Sequence, residues 1–211
     1  MDNQRRKRIR QLVRRLNQTR RRQALQIDIL CRDMVAAHRE FADRINELVF
    51  TVEFYESLLA QTDRGGLLDV AAQAIARRVP GARLVIFLLA GDAFELHCLD
   101  DQSPIQPQPD GLEQFFTPEA VRRISRANWI CSVEDMIDMG LNAPGQVLSR
   151  VSAAAVPLGR YSPGLGFLLL YRAAETPLRP VELQTLAHIC PGLSRALAAC
   201  RRHPPTTQPA S

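Results

Sequence analysis

The sequence lacks the features that would indicate a membrane protein or a disulfide-bonded protein. Among its 211 residues, no apolar run reaches the roughly 18–20 residues that a membrane-spanning helix needs. The five cysteines are scattered and form no CxxC pair, so they are typical of free thiols in a reducing compartment. The charged N-terminus is not followed by the apolar segment of a secretory signal. We therefore expect a cytoplasmic protein with no transmembrane segment.

The motifs of common catalytic sites are also missing. The sequence contains no GxxxxGK[ST], GxGxxG, HExxH or GxSxG motif, and its histidines lack metal-ligand spacing. The acidic groups at 100–101 and 134–138 are more typical of solvated loops and helix starts than of a cation site. We predict that the protein is not an enzyme and holds no metal, and no cofactor is indicated. A thiol enzyme that uses Cys98 or Cys131 is the remaining catalytic alternative.

Glycine and proline are absent from residues 5–61, which predicts one long helix. Its apolar residues repeat at alternating steps of four and three, the heptad spacing of a coiled coil. An extra step of four between Phe41 and Ile45 adds a stutter, which relaxes the supercoil locally. β-Branched residues fall at heptad position a and leucines at position d, which favours a parallel pair of helices. The alternative is an amphipathic helix that folds back on its own domain.

The heptads predict a homodimer formed by residues 23–63. The proposed seam contains Ile27, Leu30, Met34, Phe41, Ile45, Leu48, Val52 and Tyr55. Arg20 and Gln23 interrupt the seam on its N-terminal side, where polar residues weaken pairing but help to fix the register.

Positive charge is concentrated at the start of this helix. Residues 1–22 hold ten basic residues against one acidic residue, so this basic arm carries +9 and the rest of the chain carries −4. One face of the arm contains Arg6, Arg10, Arg14 and Arg21. Such a face favours phosphate or carboxylate groups, on nucleic acid, an anionic membrane surface or an acidic protein, although charge runs are more often simply solvated. No aromatic residue lies among the arginines to stack on single-stranded bases.

The rest of the sequence alternates between helical and strand patterns. Helical patterns cover 67–79, 117–127 and 180–200, and strand patterns cover 83–90, 94–99, 129–133, 150–158 and 165–171. Thr117 and Pro118 form a helix start, and Pro191 predicts a kink or a broken turn in the last helix. We predict an α+β fold with an antiparallel sheet flanked by helices, and a disordered tail at 203–211.

Two stretches of this region have a distinctive order of elements. The helical segment Leu67–Val79 leads into the strand segment Ala82–Leu89, and Ser152–Leu158 is followed by Gly164–Leu170 as a second strand pair. These stretches resemble the first helix and strand and the closing hairpin of the GAF domain family, whose members sense small molecules. The resemblance covers residues 64–202 and implies a GAF/PAS-like sheet in that region. The nucleotide-binding signature of cyclic-nucleotide GAF domains is absent.

The resemblance implies a ligand cavity between the sheet and segment 100–149. Candidate lining residues are Ile86, Phe87, Phe116, Trp129, Cys131 and Met136. It also implies a regulatory dimer that passes a signal through its helices to an unidentified protein partner or output component. The alternative is a nucleic-acid-binding regulator in which the GAF-like body only supports dimerisation. The ligand, if there is one, is not indicated.

Overall fold

The computed structural model describes residues 2–91, 93–98, 111–158 and 164–202. The chain divides into two compact units, Met1–Val49 and Phe50–Ser211. The tail at 203–211 and nearly all of the predicted loop at 100–111 lie outside the described residues. The functional division into a basic arm at 1–22, a coiled-coil helix at 23–63 and a GAF-like domain at 64–202 stays a prediction.

The first unit consists of a single helix, the N-terminal part of α1 (Asp2–Leu59). This confirms the long helix that the lack of glycine and proline predicts. Within this unit, every described side chain from Arg10 to Asn46 is exposed to solvent. Over these described residues the helix therefore buries no apolar side chain inside its own unit, although it carries large apolar residues there.

The second unit is an α+β domain built on one five-stranded sheet. The elements after α1 are α2 (Arg64–Arg78), β1 (Arg83–Ala90), β2 (Ala93–Cys98), a 3₁₀ helix (Leu112–Phe115), α3 (Pro118–Ser125), β3 (Cys131–Ser132), α4 (Val133–Asp138), α5 (Gly145–Leu148), β4 (Val151–Pro157), β5 (Gly166–Ala173) and α6 (Pro180–Arg202). The strand order is β2-β1-β5-β4-β3, and every pair is antiparallel. This is the predicted fold class.

The sheet separates two apolar clusters because successive side chains of a strand point to opposite faces. On β1, Ile86 belongs to one cluster and Phe87 belongs to the other. The last turns of α1 contribute to the first cluster with α2 and α6, while α3 and α4 contribute to the second. Helices therefore pack on both faces, and the second face also carries the irregular segments between β2 and β4.

Helix starts follow local capping chemistry. Thr117 accepts a hydrogen bond from the backbone N–H of Ala120 and precedes Pro118, as the sequence predicts. Ser132 and Asp135 form a capping box at the start of α4. These caps fix the first residues of α3 and α4.

Two helices differ from their predicted patterns. Helix α2 begins at Arg64, before the predicted pattern at 67–79, because Asp63 accepts a hydrogen bond from the backbone N–H of Gly66. Both glycines therefore lie in the first turn of the helix. Helix α6 runs through Pro191 as one element, so the broken turn is absent, while a kink at this proline stays a prediction. Within the described residues, no helix is long and apolar enough to span a membrane.

Candidate functional site

Four of the predicted ligand-lining residues lie together on one face of the sheet. Phe87, Phe116, Cys131 and Met136 all belong to the cluster under α3 and α4, and each is buried. The ring of Phe87 lies 4.9 Å from that of Phe116 and 4.6 Å from that of Phe167, centroid to centroid. These distances are ordinary packing distances for aromatic pairs. The four residues therefore lie in one apolar cluster, and the rings of Phe87 and Phe116 contact each other directly.

The other two predicted lining residues lie elsewhere. Ile86 points to the opposite face of the sheet, into the cluster under α2 and α6. Trp129 is 53% exposed and lines a small cleft of about 100 Å³ together with Ile130, Leu158 and Pro191. The six predicted residues therefore do not surround one common space, and their role in ligand binding stays a prediction.

The buried thiols are held in their neutral form. Burial, with a smaller contribution from the charge of Asp135, raises the pKa of Cys131 to about 11. Burial alone raises the pKa of Cys190 to about 12. Because the thiolate is the reactive species, both residues are poor nucleophiles at neutral pH. Neither has the depressed pKa that a catalytic cysteine needs.

A buried ionic cluster lies on the Phe87 face of the sheet, at one end of β1 and β5. Arg83 and Tyr171 are register partners on these strands. The carboxylate of Glu113 lies 3.1 Å from the Arg83 guanidinium, and the Tyr171 hydroxyl donates to it at 2.5 Å. Burial and the hydrogen bond to Glu113 raise the pKa of Tyr171 above its ordinary range. This cluster fixes the segment that begins at Gly111, whose missing side chain leaves room for the carboxylate.

A second polar cluster connects α2 to the edge strand β2. The Arg64 guanidinium forms an ion pair with Glu95 and lies 2.9 Å from Nε2 of His97. The hydrogen bond from Arg64 holds the pKa of Glu95 below its usual value. Sequence reasoning missed both clusters because their members are far apart in the chain. Among the described residues, no group of three or more metal-ligating side chains could hold a metal ion.

The predicted seam residues of the first unit are exposed. Their exposed fractions lie between 42% for Ile45 and 66% for Leu30. The set also contains Ile27, Met34, Phe41 and Leu48. Arg10, Arg14 and Arg21 of the basic arm are exposed too, whereas the side chain of Arg6 lies outside the described part. The described seam and arm residues of this unit are therefore exposed to solvent.

In the second unit, the two predicted seam residues have different surroundings. Val52 is exposed, but Tyr55 packs against α6, where its hydroxyl donates to the backbone carbonyl of His188 at 2.9 Å. A side chain at Gly192 would overlap the Tyr55 ring, with its Cβ 2.1 Å from a ring carbon. Sequence reasoning missed Phe54 and Leu58, which are the residues of α1 that the domain core buries. Their four-residue spacing was the available signal.

The comparisons with known proteins agree with this architecture. No protein-family model and no curated protein matches the sequence. Among solved structures, the chain is similar to the GAF domain from Acinetobacter phosphoenolpyruvate-protein phosphotransferase, with a TM-score of 0.53 and 15% sequence identity. The match covers 74% of this chain and 95% of that chain. A match at this identity shows the fold alone, so the finding is that the chain contains a GAF-like fold.

Proposed function

We propose that the protein is a non-enzymatic, GAF-type regulatory protein of the cytoplasm that acts as a parallel homodimer. In this proposal the body senses a small ligand or a partner protein, and the helices pass the signal on. The GAF-like fold supports the sensing role. The observation that carries the dimer is the exposed apolar stripe of α1, which includes Ile27, Leu30 and Leu48.

The energetics of α1 favour a partner for this stripe. In proteins, most of the stability of a helix comes from packing of its apolar face. The exposed ion pairs Arg32–Asp28 and Arg44–Glu40, at 3.0 Å and 2.9 Å, each contribute only about 0.3–0.5 kcal/mol. Burying one leucine or isoleucine contributes about 1.5–3 kcal/mol. Pairing of two stripes is therefore the larger source of stability.

The stutter between Phe41 and Ile45 provides a mechanism for signalling. A stutter relaxes the left-handed supercoil, so two arrangements of the pair can lie close in energy there. A ligand or partner that binds one arrangement more tightly shifts the balance between them. The shift then changes how the basic arm is presented to its own partner.

The dimer is tested by size-exclusion chromatography with light scattering on the full chain. We expect a mass near twice 23.6 kDa at micromolar concentration. A mass of one chain under these conditions would contradict the proposal. Mass spectrometry of natively purified protein tests the sensing role, since a retained small molecule would identify the ligand.

The exposed arginines of the arm favour a second candidate, a nucleic-acid-binding regulator. Arg10, Arg14 and Arg21 are accessible, and arginine pairs well with phosphate oxygens. Binding of this kind weakens steeply as salt increases, because counterions are released from the nucleic acid. Filter binding of duplex DNA, with and without residues 1–22, tests it. Equal affinity after truncation would reject this candidate.

A further inference from the structure

A groove lies between the last turns of α1 and the outer face of α2, within the second unit. Its volume is about 400 Å³. Phe50 and Phe54 of α1 and Val70 of α2 provide its apolar surface. The volume lies within the range of pockets that hold small molecules. This groove is on the α2 side of the sheet, so it is separate from the Phe87 cluster.

The polar groups of the groove leave an excess of positive charge. Arg77 and Arg78 line it from α2, and Glu53 lines it from α1. Within the described part of the chain, neither arginine forms an ion pair with Glu53 or with another carboxylate. Two positive charges against one negative charge favour an anion.

One of these cations is already positioned beside the apolar surface. The Arg78 guanidinium lies over the Phe50 ring, 5.4 Å from its centroid. A cation over an aromatic face is attracted by the ring and loses little of its capacity to donate hydrogen bonds in its own plane. The groove thus combines an apolar surface with an oriented cation, which are the two elements that an amphipathic anion requires.

The other concave and charged places of this unit lack this combination. The cleft beside Trp129 is smaller and has no charged residue in its lining. The Arg64 guanidinium is neutralised by Glu95, and Arg172 is neutralised by Glu182 at 2.8 Å. Of the three arginine sites compared in the described part of this unit, only the groove combines an apolar surface with guanidinium groups that form no ion pair with a described carboxylate.

We propose that this groove binds a small amphipathic carboxylate, with an acyl or aryl body against Phe50 and Val70 and its carboxylate at Arg77 and Arg78. The bound molecule would contact both α1 and α2 and would fix the last turns of α1 against the domain. The binding site itself needs no dimer. Only its consequence, control of helix pairing, rests on the proposed function.

Calorimetric titration of the full chain with octanoate tests the site, and octanol serves as the uncharged ligand of matched length. We expect one octanoate per chain, and affinity for octanol at least about tenfold weaker, because hydrogen bonds to charged groups are strong. The double variant Arg77→Gln/Arg78→Gln should weaken octanoate binding by a similar factor and leave octanol binding unchanged. The matched control Arg123→Gln/Arg126→Gln removes two exposed arginines near α3 and should bind octanoate like the parent.

A second variant tests ligand binding in the groove without removing either arginine. Gln73 is exposed and lines the groove, so Gln73→Trp should fill it and abolish binding of both ligands while the melting temperature of the free protein stays close to that of the parent. The proposal is overturned by an absence of saturable binding, by equal affinity for octanoate and octanol, or by binding that survives the double arginine variant.

The chain concentration distinguishes a small ligand from a second copy of the protein. If a second copy occupied the groove, the apparent affinity for octanoate would fall as the chain concentration rises tenfold, and that result would also overturn the proposal. An affinity independent of chain concentration supports it. A protein that proves to be monomeric but binds octanoate as expected would refute the dimer and leave this site intact.

Discussion

The two stretches of α1 have the same helical periodicity but opposite surroundings. In the stretch that belongs to the first unit, Phe41 is 63% exposed, whereas Phe54 in the second unit is 2% exposed. Both are phenylalanines on a continuous helix with apolar residues at regular spacing. An apolar stripe on a helix therefore does not itself determine which part of the protein covers it. In the second unit the body covers it, and for the first unit we propose a second chain.

The largest expected effect comes from truncating the buried member of this pair. Phe54→Ala should lower the free energy of unfolding of the second unit by about 3–5 kcal/mol, because it leaves a cavity among α1, α2 and α6. Phe41→Ala should leave that value within about 0.5 kcal/mol. Urea denaturation followed by circular dichroism measures both. Equal losses of unfolding free energy for the two variants would show that the core of the second unit does not bury Phe54 more than Phe41.

Pairing of the first stretch gives the next largest effect. Leu30 lies at heptad position d, whereas Leu25 lies at the outward position f, and their exposed fractions are similar at 66% and 63%. Leu30→Asn should therefore weaken the dimer at least about tenfold, while Leu25→Asn should change it little. Sedimentation equilibrium of the two variants decides the point. Equal weakening would mean that the seam lies on another face.

The comparison of Phe54 with Phe41 also shows which features of the protein can be predicted from its sequence. The long helix and the positions of β1, β4 and β5 follow from residue patterns, and the structure confirms the fold class. The four-residue spacing of Phe54 and Leu58 was not enough to predict that they, and not the seam residues, are buried, because both faces of α1 carry apolar residues at helical spacing. The same ambiguity applies to Ile86 and Phe87, which point to opposite faces of the sheet. Because β1 is buried on both faces and does not alternate between apolar and polar residues, the sequence does not show which of the two faces α3 and α4.

The site clusters were harder to predict than the fold for a physical reason. Glu113 contacts Tyr171 across 58 residues of sequence, and Arg64 contacts Glu95 across 31. Local patterns determine helices and strands, but they do not determine which distant polar side chains meet. Local patterns likewise do not predict the groove that we propose as a binding site, because its two walls come from separate helices.

The pH dependence of stability gives a smaller and more specific effect in the second unit. The folded state raises the pKa of Cys131 from 9.0 to about 11, so between these values the unfolded chain ionises while the folded chain stays neutral. Stability is therefore fully present below pH 9 and falls as the pH rises toward 11. At pH 10 the loss from this thiol is on the order of 1 kcal/mol.

The variant Cys131→Ala isolates this contribution. Its unfolding free energy should fall less between pH 8 and pH 10 than that of the parent, by on the order of 1 kcal/mol. Cys31, which is exposed in the first unit, provides the control, and Cys31→Ala should keep the pH dependence of the parent. Identical pH profiles for the parent and Cys131→Ala would show that the buried thiol is not held neutral.

The smallest effect concerns the exposed ion pairs of the first stretch. Arg32 and Asp28 lie 3.0 Å apart, but their side chains are 79% and 56% exposed, so solvent and salt screen their attraction. Asp28→Asn should lower the helix content or the melting temperature only slightly, in line with about 0.3–0.5 kcal/mol, and the change should disappear in high salt. Circular dichroism at two salt concentrations measures it. If Asp28→Asn lowered the helix content as much as Leu30→Asn does, the charges, and not the apolar stripe, would be the main source of helix stability.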